Sequence, residues 1–281
     1  MKKIFINEVG PRDGLQNIDN VLNVDERFQL IQSLEKAGIN SLEVGSFVSP
    51  KAVPAMNKTD VLLEKLSNSN SHYSVLIPNA FGYKQAKENK VKEVCLVLCA
   101  TESMNKENIN KSIDETILEF KEIINMAKKD KIRTKIYISV AFKCPYEGPV
   151  SSEYIYALTK EFISYGISEV VIADTIGAGK PGQVKSLFRR LVKEFGSSKF
   201  SAHFHDTHLL ALANVKAAME EGINKFDSCI AGLGGCPFAP GSSGNLATED
   251  LVSMLHKEGY VTGINEEMLH NSAKLAAQLT N

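Results

Sequence analysis

Lys199-Phe200-Ser201-Ala202-His203-Phe204-His205-Asp206-Thr207-His208-Leu209-Leu210-Ala211-Leu212-Ala213 is the stretch that decides how this chain is built. Lys199 to Ala202 reads as a short strand and Leu209 to Ala213 as the opening of a helix, with His203 and His205 at the strand end. Side chains two apart on a strand share a face, so the two histidines converge on one small object while Phe204 turns away. A divalent metal ion is such an object: imidazole suits transition metals, and carboxylate or amide oxygens from elsewhere can complete the shell. Taken alone, H-x-H describes equally well two histidines satisfied by backbone hydrogen bonds.

The same strand, polar loop and helix recur along the chain. Ile4 to Val9 is the first apolar, β-branched run; it ends in Gly10-Pro11-Arg12-Asp13-Gly14-Leu15-Gln16-Asn17. Helical spacing follows from Asp25 to Gly38, with Phe28, Ile31, Leu34 and Ala37 on one face and Gly38 as the stop. Further strands are expected at 41–45, 73–77, 93–98, 135–140, 169–174 and 225–230, and helices near 59–66, 82–88, 112–129, after 152, from Pro181 and near 248–256. Parallel strands need crossover helices, and eight such units close a barrel. The expectation is an α/β chain forming one (β/α)8 TIM barrel over residues 1–281, with 265–279 as an extra C-terminal helix outside the ring; an open doubly wound sheet is the rival. No boundary rich in Pro, Gly or Ser splits the chain.

A chain of 281 residues, 43% hydrophobic and 23% charged, suits a globular protein of this size. A formal net charge of -1 gives no electrostatic case for nucleic acid or an anionic membrane as partner. No apolar run reaches the roughly 18 residues of a membrane span, and Met1-Lys2-Lys3 leads directly into the first strand with no signal-peptide pattern. Cysteines at 95, 99, 144, 229 and 236 form no C-x-x-C pair, so a reduced, cytoplasmic protein is expected.

In a barrel of this kind the reactive face is formed by the strand C-termini and the loops after them. Arg12, Asp13, Glu43, Asp174, His203, His205 and Asn245 all fall on that side, where chance would have put about half of them at the other ends. Asp13 offers an anionic oxygen, the histidines two nitrogens and Asn245 an amide oxygen; this mixed set leaves room for substrate oxygens and suits Mg²⁺ or Mn²⁺ better than structural zinc. Arg12 is permanently charged and suited to neutralising a developing oxyanion. Glu43 either orients Arg12, joins the ligands or caps a loop amide; Asp174 either orients a histidine or acts as a base. The loop from Ala231 to Asn245 is broken by glycines at 232, 234, 235, 241 and 244 and by two prolines, so a shaped, mobile flap carrying Cys236 is expected. Cys95, Cys99 and Cys229 lie in or beside apolar strands and read as inert packing.

Five motifs together carry a resemblance: Glu8 to Asn17, Ser46-Phe47-Val48-Ser49-Pro50-Lys51, Cys144-Pro145-Tyr146-Glu147-Gly148, His203 to Thr207, and Gly232 to Asp250. Through them the chain resembles the 3-hydroxy-3-methylglutaryl-CoA lyase family over nearly its whole length. That resemblance implies a divalent-cation-dependent carbon–carbon lyase acting on an acyl-CoA. It implies Asp13, His203, His205 and Asn245 as metal ligands, and Arg12, Asp13, His203 and Cys236 in catalysis, with Glu43 and Asp174 at the same site. It also implies a homodimer and a place in leucine degradation. Lys51 and Lys84 are candidate contacts for CoA phosphates, but solvated surface lysines are the better reading of them. A condensing synthase of the same superfamily is disfavoured, because those enzymes carry Asn-Asp after H-x-H where this chain has Asp206-Thr207. A lyase for another 3-hydroxyacyl-CoA and a non-catalytic metal-binding barrel are the remaining alternatives.

Overall fold

The computed structural model describes residues 2–234 and 244–280. Its strands are β1 (Phe5–Glu8), β2 (Ser41–Ser46), β3 (His72–Leu76), β4 (Glu93–Cys99), β5 (Arg133–Ser139), β6 (Lys143–Cys144), β7 (Gly148–Pro149), β8 (Glu169–Asp174), β9 (Phe200–Phe204) and β10 (Lys225–Ser228). Eight of them close a parallel barrel in the order β1-β10-β9-β8-β5-β4-β3-β2, and β6 and β7 form a separate antiparallel hairpin. Closure is made where Phe5 to Glu8 pair with Lys225 to Ser228, which excludes the open sheet.

The helices are α1 (Val24–Lys36), α2 (Thr59–Lys65), α3 (Ala80–Glu88), α4 (Glu102–Ile109), α5 (Ile113–Asp130), α6 (Ser152–Tyr165), α7 (Pro181–Phe195), α8 (Ala211–Glu220), α9 (Thr248–Lys257) and α10 (Glu266–Thr280). Local chemistry sets their starts. Asn23 accepts from the amides of Asp25 and Glu26 while Glu26 accepts from the Asn23 amide, and Ser112 and Glu115 repeat this reciprocal cap on α5. On α5, Ile113, Ile117, Phe120, Ile124 and Ala127 recur at helical spacing and bury one face against the barrel. Burying side chains of this size contributes roughly 1.5–3 kcal/mol each relative to exposure.

α4 and the hairpin were not foreseen. Only Met104 and Asn105 of α4 are buried, so it has almost no apolar stripe to read. Tertiary bonds hold it: Asn105 accepts from the Cys99 amide at 3.1 Å and donates to Lys111 O at 3.0 Å and Thr116 Oγ1 at 2.9 Å. α10 packs on α1, as expected of a helix outside the ring; the Asn265 amide donates to Ala37 O and Asn20 to Leu279 O. Gly38 is required at that junction twice over, by its φ of +98° and because a Cβ there would lie 2.5 Å from Gly263 O.

Among the described residues no helix is long and apolar enough to cross a membrane. Cys95, Cys99, Cys144 and Cys229 are buried free thiols.

At the seam where the barrel closes, Glu8 is fully buried and accepts from the amides of Gly10 (2.8 Å) and Ile230 (2.9 Å) and from Thr248 Oγ1 (2.6 Å). Burial pushes its carboxyl up to about 7 against the pull of these three donors. Between about pH 4.5 and 7 the folded chain keeps a proton that the unfolded chain releases, so this group costs stability as pH rises through that window. Glu8→Gln keeps the oxygen facing the two amides and removes the titration. Urea unfolding should show wild type losing up to about 3 kcal/mol more than Glu8→Gln between pH 4.5 and 8. Equal losses in the two proteins would refute this.

Candidate metal centre and its arginine

The loop after β1 is a tight five-residue helical turn, Gly10–Gly14, in which the amides of Arg12 and Asp13 both donate to Val9 O. It delivers Arg12 and Asp13 side by side to the barrel mouth. Gly14 is needed for close approach: a Cβ would fall 2.6 Å from Cys229 Sγ and 3.0 Å from Leu233 Cβ. The guanidinium of Arg12 is buried, with Nε donating to Glu43 Oε1 and Nη1 donating to Asp13 Oδ1 at 2.5 Å. Glu43 projects from β2, and its second oxygen accepts from Tyr137 Oη of β5 at 2.9 Å. Glu43 is therefore the residue that orients Arg12.

His203 on β9 and His205 just beyond it are buried with ring centroids 5.2 Å apart. Asp13, His203 and His205 each offer a ligand atom within 4.8 Å of the other two. Asn245 forms an antiparallel bridge with His205 and donates from Nδ2 to Asp13 Oδ2 (2.8 Å) and Leu233 O (3.0 Å). Two buried polar atoms in this cluster, His205 Nδ1 and Asn245 Oδ1, have no partner among the described residues. A buried lone pair without a partner costs on the order of 1–3 kcal/mol, so a donor set left this way fits a cation. One carboxylate, two imidazoles and an amide oxygen are a mixed oxygen and nitrogen set for a divalent ion.

The local electrostatics agree. Burial alone would raise the Asp13 carboxyl, but Arg12, His203 and His205 hold it well below the usual carboxylate range. Burial and the neighbouring His203 lower His205 to about 4, which keeps it a neutral ligand.

Asp174 ends β8 and is buried, and its oxygens accept from the amides of Ala178 (3.0 Å) and Gly179 (2.8 Å), fastening the loop after β8. Burial pushes it up to about 6. Loop capping, one of the roles expected for Glu43, thus belongs to Asp174. Cys236 lies outside the described residues. Lys51 and Lys84 are exposed, after β2 and in α3. Two groups escaped the sequence reading: Tyr137, set edge-on to His203 at 6.0 Å, and Asp227, 3.3 Å from His203 Nδ1. The available signal was a polar residue at an alternating position inside each strand.

The family described as HMGL-like matches residues 3–276. The chain is 40% identical over 281 residues to a hydroxymethylglutaryl-CoA lyase of Pseudomonas mevalonii, covering 99% of this chain and 93% of that one. Its structure matches the crystal structure of the HMG-CoA lyase of Bacillus subtilis with a TM-score of 0.96 at 39% identity, over 99% of this chain and 94% of the other. It matches an HMG-CoA lyase from Acinetobacter baumannii, in complex with coenzyme A and 3-methylmalate, with a TM-score of 0.94 at 35% identity, over 99% and 91% of the two chains.

Gly14→Ala should shift the turn that presents Arg12 and Asp13. The expected loss is about 1–3 kcal/mol in chemical denaturation, and adding Cys229→Ala should recover part of it by removing the sulfur that the new methyl meets. An additive double mutant would show that this contact does not set the turn.

Proposed function

This chain belongs to the HMGL-like family, and from that premise we infer that it is a carbon–carbon lyase cleaving 3-hydroxy-3-methylglutaryl-CoA to acetyl-CoA and acetoacetate. The observation that carries the reading at the level of chemistry is the convergence of Asp13, His203 and His205 beside a buried arginine whose orientation is fixed by Glu43.

Asp13, His203, His205 and Asn245 would hold the cation, which we take to be Mg²⁺ or Mn²⁺. When bound, it supplies Lewis acidity to the substrate oxygens and lowers the pKa of the tertiary hydroxyl. The remaining work falls to the side chains. Asp13 takes the hydroxyl proton, since His203, with one ring nitrogen against Asp227 and the other facing the cation, has no lone pair left for it. The C3–O bond becomes a ketone as the C2–C3 bond breaks, and the electron pair leaves as the enolate of the thioester. Arg12, anchored on one side by Glu43 and on the other by Asp13, places its charge where the enolate oxygen develops. The enolate carbon then regains a proton, a step we assign to the thiol of Cys236, so one proton is removed, one is returned and no water is consumed. Asp174 takes part by holding the loop after β8. The coenzyme A in the Acinetobacter baumannii relative supports an acyl-CoA ligand here, and we take the exposed Lys51 and Lys84 as candidate contacts for its phosphates. We place the enzyme in the cytoplasm as a homodimer, which light scattering would read as twice the mass of the chain.

The test is cleavage of 3-hydroxy-3-methylglutaryl-CoA by metal-stripped protein before and after Mg²⁺ or Mn²⁺ is restored, with acetoacetate as the readout. Activity should appear only on restoration. Metal binding without cleavage would support the non-catalytic barrel instead. In the same assay Arg12→Lys, which cannot bridge Glu43 and Asp13 together, should lower kcat by roughly 10²–10³ with a smaller change in KM. Cys236→Ser should also lower kcat, and unchanged turnover would remove the thiol from the mechanism.

A further inference from the structure

Asp227 of β10 stands opposite His203 of β9 in the parallel register and is buried. Its Oδ2 lies 3.3 Å from His203 Nδ1, and its Oδ1 accepts from Asn7 Nδ2 at 3.0 Å. Asn7 is fixed in turn, because its own oxygen accepts from Ser41 Oγ at 2.9 Å. Below this chain of bonds, Lys135 sits buried 3.4 Å from Glu93 and 3.6 Å from Glu169, and its charge reaches Asp227. A cavity of about 350 Å³ at the N-terminal mouth of the barrel opens onto the same group, with Asn7, Ser41, Lys135 and Asp227 in its wall. Among the described residues His205 has no comparable support, since its Nδ1 is buried without a partner there.

A carboxylate only accepts hydrogen bonds, and a neutral imidazole carries one N–H and one lone pair. We propose that Asp227 is a positioning residue for the metal centre: by accepting from His203 Nδ1–H it holds that ring in one tautomer and one orientation, with Nε2 left to face the cation. This rests on the metal site argued under Proposed function. It makes the two histidines unequal, with His203 set in advance from inside the barrel and His205 completed only by what it ligates. Carboxylate partners of this kind orient ligating histidines in many metal sites.

The direction of the Ser41, Asn7 and Asp227 bonds gives Asp227→Asn a specific consequence. Asn7 presents its N–H to residue 227, so the new amide keeps its oxygen there and turns its NH₂ toward His203 Nδ1. That nitrogen must then accept, and the ring proton moves to Nε2, where it blocks ligation. Imidazole ¹H–¹⁵N correlation spectra of the metal-stripped protein at pH 8, with His203 identified by the signal lost in His203→Gln, should show His203 protonated at Nδ1 in wild type and at Nε2 in Asp227→Asn. Mn²⁺ titration followed by electron paramagnetic resonance should show binding 10–100-fold weaker in the variant. An Nε2–H tautomer in wild type, or undiminished Mn²⁺ affinity in a folded Asp227→Asn, would overturn the inference. The wild-type spectrum decides the matter even if the variant does not fold. Failure of wild type to bind Mn²⁺ would count against the metal reading itself, whereas the tautomer is read without metal.

Discussion

The site depends on one buried cation. Arg12 is held between Glu43, rising from inside the barrel, and Asp13, its neighbour on the loop after β1. Taking a guanidinium out of water is expensive, and removing one partner of a buried pair typically costs about 3–5 kcal/mol. The attraction is strong enough to raise Arg12 above its usual range despite burial. Geometry follows from this. With Nε on Glu43 and Nη1 on Asp13, the plane of the fork is set by β2 and by the turn after β1, and the other oxygen of Asp13 accepts from Asn245 beside the histidines. Tyr137 closes the arrangement from the far wall by donating to the second oxygen of Glu43.

That dependence explains why the inside of the barrel is polar where apolar layers usually fill it. From the C-terminal mouth downward the interior holds Glu43, Tyr137 and His203, then Asp227 and Asn7, then Lys135 with Glu93 and Glu169. Each charge has an opposite charge or a donor within reach, with Arg133, His72 and Lys225 completing Glu93 and Glu169 at the lower rim. A hydrophobic filling of equal volume would serve stability as well or better. The polar column is what a mouth built from ionic ligands requires beneath it: side chains there must be aimed as well as packed.

Much of this was legible in the chain itself. Alternation of β-branched runs with capped amphipathic helices gives eight repeating units, enough for a closed barrel, and the pairing of β1 with β10 rather than the count rules out the open sheet. Arg12, Asp13, His203, His205 and Asn245 could be picked out because each lies at a strand end or in the loop after one, which is a one-dimensional signal. Asp227 and Tyr137 were missed because their roles exist only across strands; Asp227 is twenty-four residues from the histidine it touches, and only the parallel register joins them. The loop capping by Asp174 has the same origin. Glu43 and Asp174 are both acids near strand ends, and that Glu43 keeps Arg12 while Asp174 caps amides depends on neighbours that spacing does not reveal. In β2 the register also slips between Glu43 and Gly45, where a Cβ on Gly45 would run into Thr59 and Arg27 on the helix side, so simple alternation misplaces the end of that strand.

Charge at the mouth leads from the geometry to the reaction. Arg12, Glu43 and Asp13 sum to one negative charge, His205 stays neutral, and the charge of Asp227 is answered inside the barrel by Lys135. A divalent cation held by Asp13 would leave this group of arginine, two carboxylates and ion singly positive, which suits a substrate carrying one free carboxylate. Binding then brings the group close to neutrality, and on the proposed mechanism the negative charge that appears when the carbon–carbon bond breaks is new charge for Arg12 to meet. In a site shielded from water such a charge interacts strongly with a fixed dipole or cation, and Arg12 is already in place, held by two carboxylates instead of by solvent. On the mechanism proposed above, the ion pairs that orient the arginine before substrate arrives also remove the need for the site to reorganise when charge develops.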